Sequence, residues 1–147
     1  MTNQPLLILV AGPYRSGTND DPTLIAANMR AMNAVCLRLF RAGHIPITGE
    51  ALALPLVEVA GSQQIGDTIF NEIMHPFGRA IVVRCDACLR MGGPSQGADE
   101  MVTLAKAHGR HVFSRLEDVP GLGDAFKQAS TAGTFHDGID ERMAVEG

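Results

Sequence analysis

Residues 6–17 read Leu-Leu-Ile-Leu-Val-Ala-Gly-Pro-Tyr-Arg-Ser-Gly, an apolar run followed at once by a glycine-containing loop. A continuous apolar run of this kind predicts a strand that is covered on both faces, as in parallel sheets. Asp21 and Pro22 predict the start of a helix, whose apolar residues recur at three- and four-residue spacing as far as Ala42. A second short strand is expected at 44–48, so the chain begins as a right-handed parallel crossover.

The rest of the chain continues the alternation of strands and helices. We expect, in order, two short helical turns at 51–60, a helix from 67 to 84, a strand at 87–91, a helix at 98–108 and a strand at 111–113. Residues 80–83 could instead be a strand. The fold class is therefore an α/β three-layer sandwich with a parallel, flavodoxin- or Rossmann-like sheet of four to five strands. Residues 1–116 are expected to form this domain, and 117–147 a polar tail in which 122–129 favour a short helix.

Composition narrows the classes of partner. The chain has 147 residues, a net charge of −4 and scattered basic residues, whereas a nucleic-acid-binding face needs clustered positive charge. No apolar run approaches the roughly 20 residues that span a membrane, and no secretory signal is recognisable at the start. We therefore expect a cytoplasmic protein with a small-molecule ligand, no nucleic-acid polymer and no membrane.

The three cysteines are not expected to do chemistry. An odd number argues against a disulfide framework. Cys85 and Cys88 form a CxxC, but this leads into an apolar strand and not into a helix, where a reactive thiolate would be stabilised. Two small core residues are the better interpretation, and we expect neither a metal nor a cofactor.

Two loops are the candidate ligand site. Both follow predicted strands, and ligands of open parallel sheets bind beyond the carboxyl ends of the strands. Glycines let a backbone approach a ligand closely, a helix start favours an anion, and Arg15 could pair with a phosphate. Neither loop has the spacing of an ATP or dinucleotide motif. The candidate contacts are Gly12, Tyr14, Arg15, Gly17, Gly93, Ser95 and Gly97.

Asp99 and Glu100 occupy the first turn of the helix after the second loop. Acidic residues there can simply complement the helix dipole. Alternatively, one carboxylate reaches the ligand. Breaking an N-glycosidic bond builds positive charge on the sugar, which a carboxylate can stabilise or trap, while a second polar group assists the departing base.

The stretch Gly12–Gly17, together with Gly92–Glu100, resembles the nucleoside 2-deoxyribosyltransferase-like superfamily. The likeness covers roughly residues 6–115 and is nearest to a bacterial branch of unassigned function and to the deoxynucleoside 5′-monophosphate N-glycosidases. It implies Glu100 as the nucleophile and a site completed by a neighbouring subunit, hence a homodimer or larger assembly. It also implies a 5′-phosphate held by Gly12, Arg15, Gly17 and Ser95. Asp86 matches a frequent family aspartate, in a role more structural than catalytic.

The sequence departs from the family pattern at both acids. The family glutamate is expected one residue later, where Met101 stands, so the register could differ locally or Asp99 could share the role. The second acid is expected near Met74 and His75, where none stands; His75 or Glu72 could substitute, or activity could be lost. Glu50, after the second strand, is a weaker candidate contact, since a solvated loop carboxylate explains it as well.

The leading hypothesis is an N-glycosidic bond hydrolase or 2-deoxyribosyltransferase acting on a nucleoside 5′-monophosphate or nucleoside. Arg15 favours the phosphorylated substrate, because a free nucleoside gives that cation nothing to pair with. Three alternatives remain. They are a lysine-decarboxylase-like nucleotide ribohydrolase, a non-catalytic nucleotide-binding or sensor domain, and a scaffold domain.

Overall fold

The computed structural model describes residues 4–123. The remainder of the predicted tail, with most of the short helix expected at 122–129, lies outside the described residues. The elements are, in chain order, β1 (Leu7–Ala11), α1 (Pro22–Arg41), β2 (Ile45–Ile47), α2 (Gly49–Val59), α3 (Thr68–Val82), β3 (Ala87–Arg90), α4 (Gln96–Ala107), β4 (His111–Phe113) and a 3₁₀ turn (Leu116–Asp118).

All four strands are parallel, in the order β2-β1-β3-β4. The chain steps from β1 to one side and later from β3 to the other, so the strand order reverses between β1 and β3. This is the flavodoxin-like arrangement, in which ligands bind at the reversal point. The predicted α/β sandwich with a parallel sheet is confirmed.

The core has two layers because β1 alternates its side chains between the faces of the sheet. Ile8 and Val10 pack with α1, where Met32 and Leu39 are completely buried. Leu9 and Ala11 pack against the opposite layer, built from α3 and α4. Truncating a side chain such as Leu39 to alanine costs about 2–5 kcal/mol in cores of this type.

Two local predictions need correction, and the alternative left open for residues 80–83 is decided in favour of the helix. Residues 51–60 form part of one continuous helix, α2, because Thr48 caps it: its Oγ1 accepts from the Ala51 N–H at 3.1 Å. Residues 80–82 belong to α3 and not to a strand, since Val82 completes the buried stripe of that helix. The second strand, Ile45–Ile47, is shorter than 44–48, because the His44 N–H donates to the Leu39 carbonyl of α1 and Thr48 already caps α2.

His44 also joins the end of the described chain to the sheet. Its Nδ1 accepts from the Leu6 N–H at 3.1 Å, which leaves Nε2 to donate to the Pro120 carbonyl at 2.8 Å. Val119 and Leu122, on either side of that proline, are 1% and 2% exposed in the α1 layer. The core therefore extends past residue 116, where the domain was expected to end.

Between residues 4 and 123, none of the helices is both long enough and apolar enough to cross a membrane.

Candidate functional site

A cavity of about 500 Å³ lies at the carboxyl ends of β1, β2 and β3, where the strand order reverses. Its wall combines the loop after β1 with the beginnings of α2 and α4 and one side of α3. The residues that line it include Gly12, Tyr14, Arg15, Gly17, Asp20, Glu50, Phe70, Met74, His75, Ser95, Gln96, Gly97 and Met101. The structure thus brings both predicted loops to one cavity.

The second loop contributes the start of α4. Ser95 is the N-cap: it is buried, and its Oγ accepts from the Ala98 N–H at 3.1 Å. The helix begins at Gln96, earlier than predicted, so Gly97 lies in its first turn. His75 of α3 is close by, since a carbon added at Gly97 would lie 3.7 Å from its Cε1. The helix start gives this end of the cavity a partial positive charge.

Arg90, which the sequence did not single out, holds the second loop in place. Its Nε donates to Asp99 Oδ1 at 2.9 Å, its Nη2 to the Gly93 carbonyl at 2.8 Å, and its Nη1 to the Met91 carbonyl. Asp99 and Gly93 therefore support the loop from behind, and neither lines the cavity. The available signal was a basic residue at the end of a strand, directly before a glycine pair.

The predicted nucleophile lies elsewhere. Glu100 pairs with Arg79 of α3, with Nη1 and Oε2 3.3 Å apart, and both side chains are 43% exposed. Met101, at the position where the resemblance expects the acid, lines the cavity instead. Within the described chain, the structure does not bring Glu100 to the cavity that Arg15 faces.

Asp86 lies at the opposite end of the sheet from the cavity. It precedes β3, and its Oδ2 accepts from the Leu7 N–H at 2.8 Å, at the start of β1. This contact links two neighbouring strands and is structural.

Glu50 is the carboxylate that the cavity does contain. It lies in the first turn of α2, and burial raises the pKa of its carboxyl above 4.5, which its own backbone N–H only partly offsets. In the described part of the chain it forms no ion pair. Burial and the charge of Glu50 both raise the pKa of the neighbouring Tyr14 above 10.0. A desolvated carboxylate beside a phenol, in a cavity, is typical of a functional site.

Arg15 already has a partner in the same loop. Its Nε and Nη2 donate to the two carboxylate oxygens of Asp20, each at 2.9 Å, and these bonds hold the pKa of Asp20 below 3.8. The guanidinium also lies 5.5 Å from the centre of the Phe70 ring. The argument that a free nucleoside would leave Arg15 unpaired is therefore wrong.

Phe70, Met74 and Met101 form an apolar side of the cavity. The two methionines stand at or beside the positions where the resemblance expects acids. Soft, polarizable side chains of this kind pack well against a flat ring. Both methionines stand out in the sequence only as departures from the family pattern, and nothing in the sequence marks them as part of the cavity.

The CxxC pair behaves as predicted. Cys85 and Cys88 are buried in the core, and burial raises the pKa of their thiols to about 11 and about 12. Thiols with such pKa values are poor nucleophiles. Across residues 4–123, no cluster of three histidine, cysteine or acidic side chains has the arrangement of a metal site.

No family model matches the chain, and no curated protein matches it. The likeness of the two loops to the deoxyribosyltransferase-like proteins stays a prediction from their residues. The cavity and its side chains are therefore the features that bear on function.

Proposed function

We propose that the cavity binds a nucleoside or nucleoside 5′-monophosphate and that the protein cleaves its N-glycosidic bond, by hydrolysis or by transfer of the sugar. The observation that carries this proposal is Glu50, a half-buried carboxylate without an ion pair within residues 4–123, on the wall of a 500 Å³ cavity at the reversal point of the sheet. That volume is within the range of small-molecule sites.

The dimensions suit a ligand with distinct ends. β2 and β3 flank β1, so Glu50 and the start of α4 are separated by two strand spacings, roughly 10 Å. The hydroxymethyl or phosphate end of the ligand would lie between Arg15 and the start of α4, at Ser95 and Gly97. The sugar would then face Glu50, and the base would pack against Met74 on the apolar side of the cavity.

The chemistry follows from charge. As the bond between C1′ and the base breaks, the electron pair leaves with the base and positive charge develops on the sugar ring. Ionised Glu50 would stabilise that charge or bond to C1′. Tyr14 keeps its proton at neutral pH, because its pKa is raised, and can donate a hydrogen bond at the same place. Water, or a second base, completes the exchange.

A second candidate is a binding domain without turnover. It is favoured by Met74 and Met101, which occupy the places where the resemblance expects acids. Glycosidases commonly use two carboxylates, and here Asp20 is occupied by Arg15. The cytoplasmic location and the homodimer or larger assembly stay predictions.

One experiment separates these candidates. Nucleosides and their 5′-monophosphates are screened by thermal shift, and free base is followed by chromatography. For the enzyme, the wild type and the control Glu100→Gln should release base, while Glu50→Gln should bind without releasing it. Binding without base over hours would support the binding domain. Absence of binding in every protein would refute both candidates.

A further inference from the structure

The loop after β1 is shaped to hold Asp20 against Arg15. Asn19 and Asp20 have φ angles of 49° and 59°, in the left-handed region that Asn and Asp adopt more readily than other residues with a side chain. Thr18, which is 3% exposed, fixes this geometry: its Oγ1 accepts from the Asp20 N–H at 3.1 Å and donates to the Arg15 carbonyl at 2.6 Å. Such backbone conformations persist only where the surroundings maintain them.

The Arg15 head is held from several sides. Both carboxylate oxygens of Asp20 accept from it, and the Phe70 ring lies beneath it. Gly66, before α3, leaves it room, since a carbon added there would be 2.7 Å from Nη2. The charge of the guanidinium is thus already matched within the loop, in an ion pair whose Arg15 and Asp20 side chains are 37% and 47% exposed.

The formal charges on the wall do not favour an anion. Arg15 contributes one positive charge, and Asp20 and Glu50 one negative charge each when ionised. The starts of α2 and α4, which both lie on the wall, supply only partial positive charges that oppose that balance for a phosphate. A phosphate dianion reaching Arg15 would have to displace Asp20 or share the cation with it.

We propose that Asp20 is a specificity-determining residue: by holding Arg15 in a two-pronged ion pair, it makes the cavity select an uncharged nucleoside over the corresponding 5′-monophosphate. This inference rests on the proposed function, and it names the substrate class within it. It reverses the preference that the sequence suggested for Arg15.

The test removes one charge at two adjacent positions. Asp20→Asn keeps a residue that tolerates the left-handed region but frees Arg15. Asp21→Asn makes the same change in net charge and keeps a good N-cap on α1 without contacting Arg15. Dissociation constants for nucleosides and their 5′-monophosphates are measured by calorimetry. A third variant, Arg15→Gln with Asp20→Asn, removes the cation as well.

The wild type should bind the nucleoside more tightly. Asp20→Asn should tighten monophosphate binding by about tenfold, with little change for the nucleoside, because a two-pronged charged contact becomes available. Asp21→Asn should keep the wild-type ratio, and the double variant should lose the gain. A wild type that prefers the monophosphate, or equal effects of Asp20→Asn and Asp21→Asn, would overturn the inference.

Inorganic phosphate alone gives a second readout. It should raise the melting temperature of Asp20→Asn more than that of the wild type or Asp21→Asn. If no nucleoside or monophosphate binds, the proposed function fails. The phosphate experiment still decides, in that case, whether Asp20 suppresses anion binding. Equal phosphate effects in all three proteins would refute that role.

Discussion

Replacing Gly92 and Gly93 one at a time by alanine should give opposite results, although the two glycines are adjacent. Gly92 has a φ of +77°, and a carbon added there would lie 2.7 Å from Cδ of Pro13, an atom in a stiff ring of the first loop. The left-handed conformation and the overpacking together should cost about 2–5 kcal/mol. At Gly93 nothing lies within 4 Å of the added carbon, so alanine should be neutral or stabilise by up to about 1 kcal/mol.

Urea unfolding followed by circular dichroism measures both changes. We expect the midpoint of Gly92→Ala to fall with an unchanged slope, which identifies a change in stability and not in the surface exposed on unfolding. Gly93→Ala serves as the matched control. Equal losses in the two variants, or none in Gly92→Ala, would refute the claim that the two loops are packed against each other at Pro13.

Three further predictions concern single side chains. Because burial raises the pKa of Glu50 above 4.5, its contribution to stability is full below that pH and is lost as pH rises through the raised pKa. Glu50→Gln should therefore resist urea better than the wild type at about pH 7 but not at about pH 4. The control Glu58→Gln, at an exposed position, should show no such difference. If Glu50→Gln and the wild type were equally stable at both pH values, the prediction would be contradicted. Asp67, whose pKa is lowered to about 2 chiefly by the Phe70 N–H, should stabilise the fold above its ordinary 3.8 and lose this effect as pH falls toward about 2. In melting curves recorded over a series of pH values, Asp67→Asn should lose less stability than the wild type as pH falls below about 3.8. An equal fall in melting temperature in both proteins would contradict this prediction. Arg90→Lys keeps the charge but loses the branched guanidinium that donates to both Asp99 and the Gly93 carbonyl. Calorimetry should therefore show weaker binding of the nucleoside. The control Arg84→Lys, at an exposed position, should leave that binding unchanged.

Hydrophobic pattern was enough to predict the sheet and α1, and the glycines after β1 and β3 predicted the two loops that line the cavity. The apolar run that forms β1 and the cap at Asp21 are local signals that the packing respects. The direction in which the Glu100 side chain points could not be predicted from the sequence. Successive residues on a helix point about 100° apart, so a shift of one position puts Met101 in the cavity and Glu100 on the outer surface.

The charge balance of the site could not be read from the chain. Glu50 looked like a solvated loop carboxylate, because its surroundings come from distant parts of the chain: besides burial, its charge raises the pKa of Tyr14 in the first loop and of Cys36 in α1. The pairing of Arg15 with Asp20 depends on the left-handed backbone conformation of Asn19 and Asp20, which hydrophobic periodicity does not predict. Arg90 was overlooked because its partners are mostly backbone carbonyls, whose positions only the folded loop defines.

The central claim is that Glu50, the half-buried carboxylate of the cavity, acts on the glycosidic bond. Measuring the rate of free-base release against pH, for the wild type and Glu50→Gln, tests it most directly. We expect wild-type activity to fall on acidification with a midpoint above 4.5, the ordinary value for a glutamate, and Glu50→Gln to release no base while still binding the nucleoside. Wild-type rates in Glu50→Gln would contradict the account.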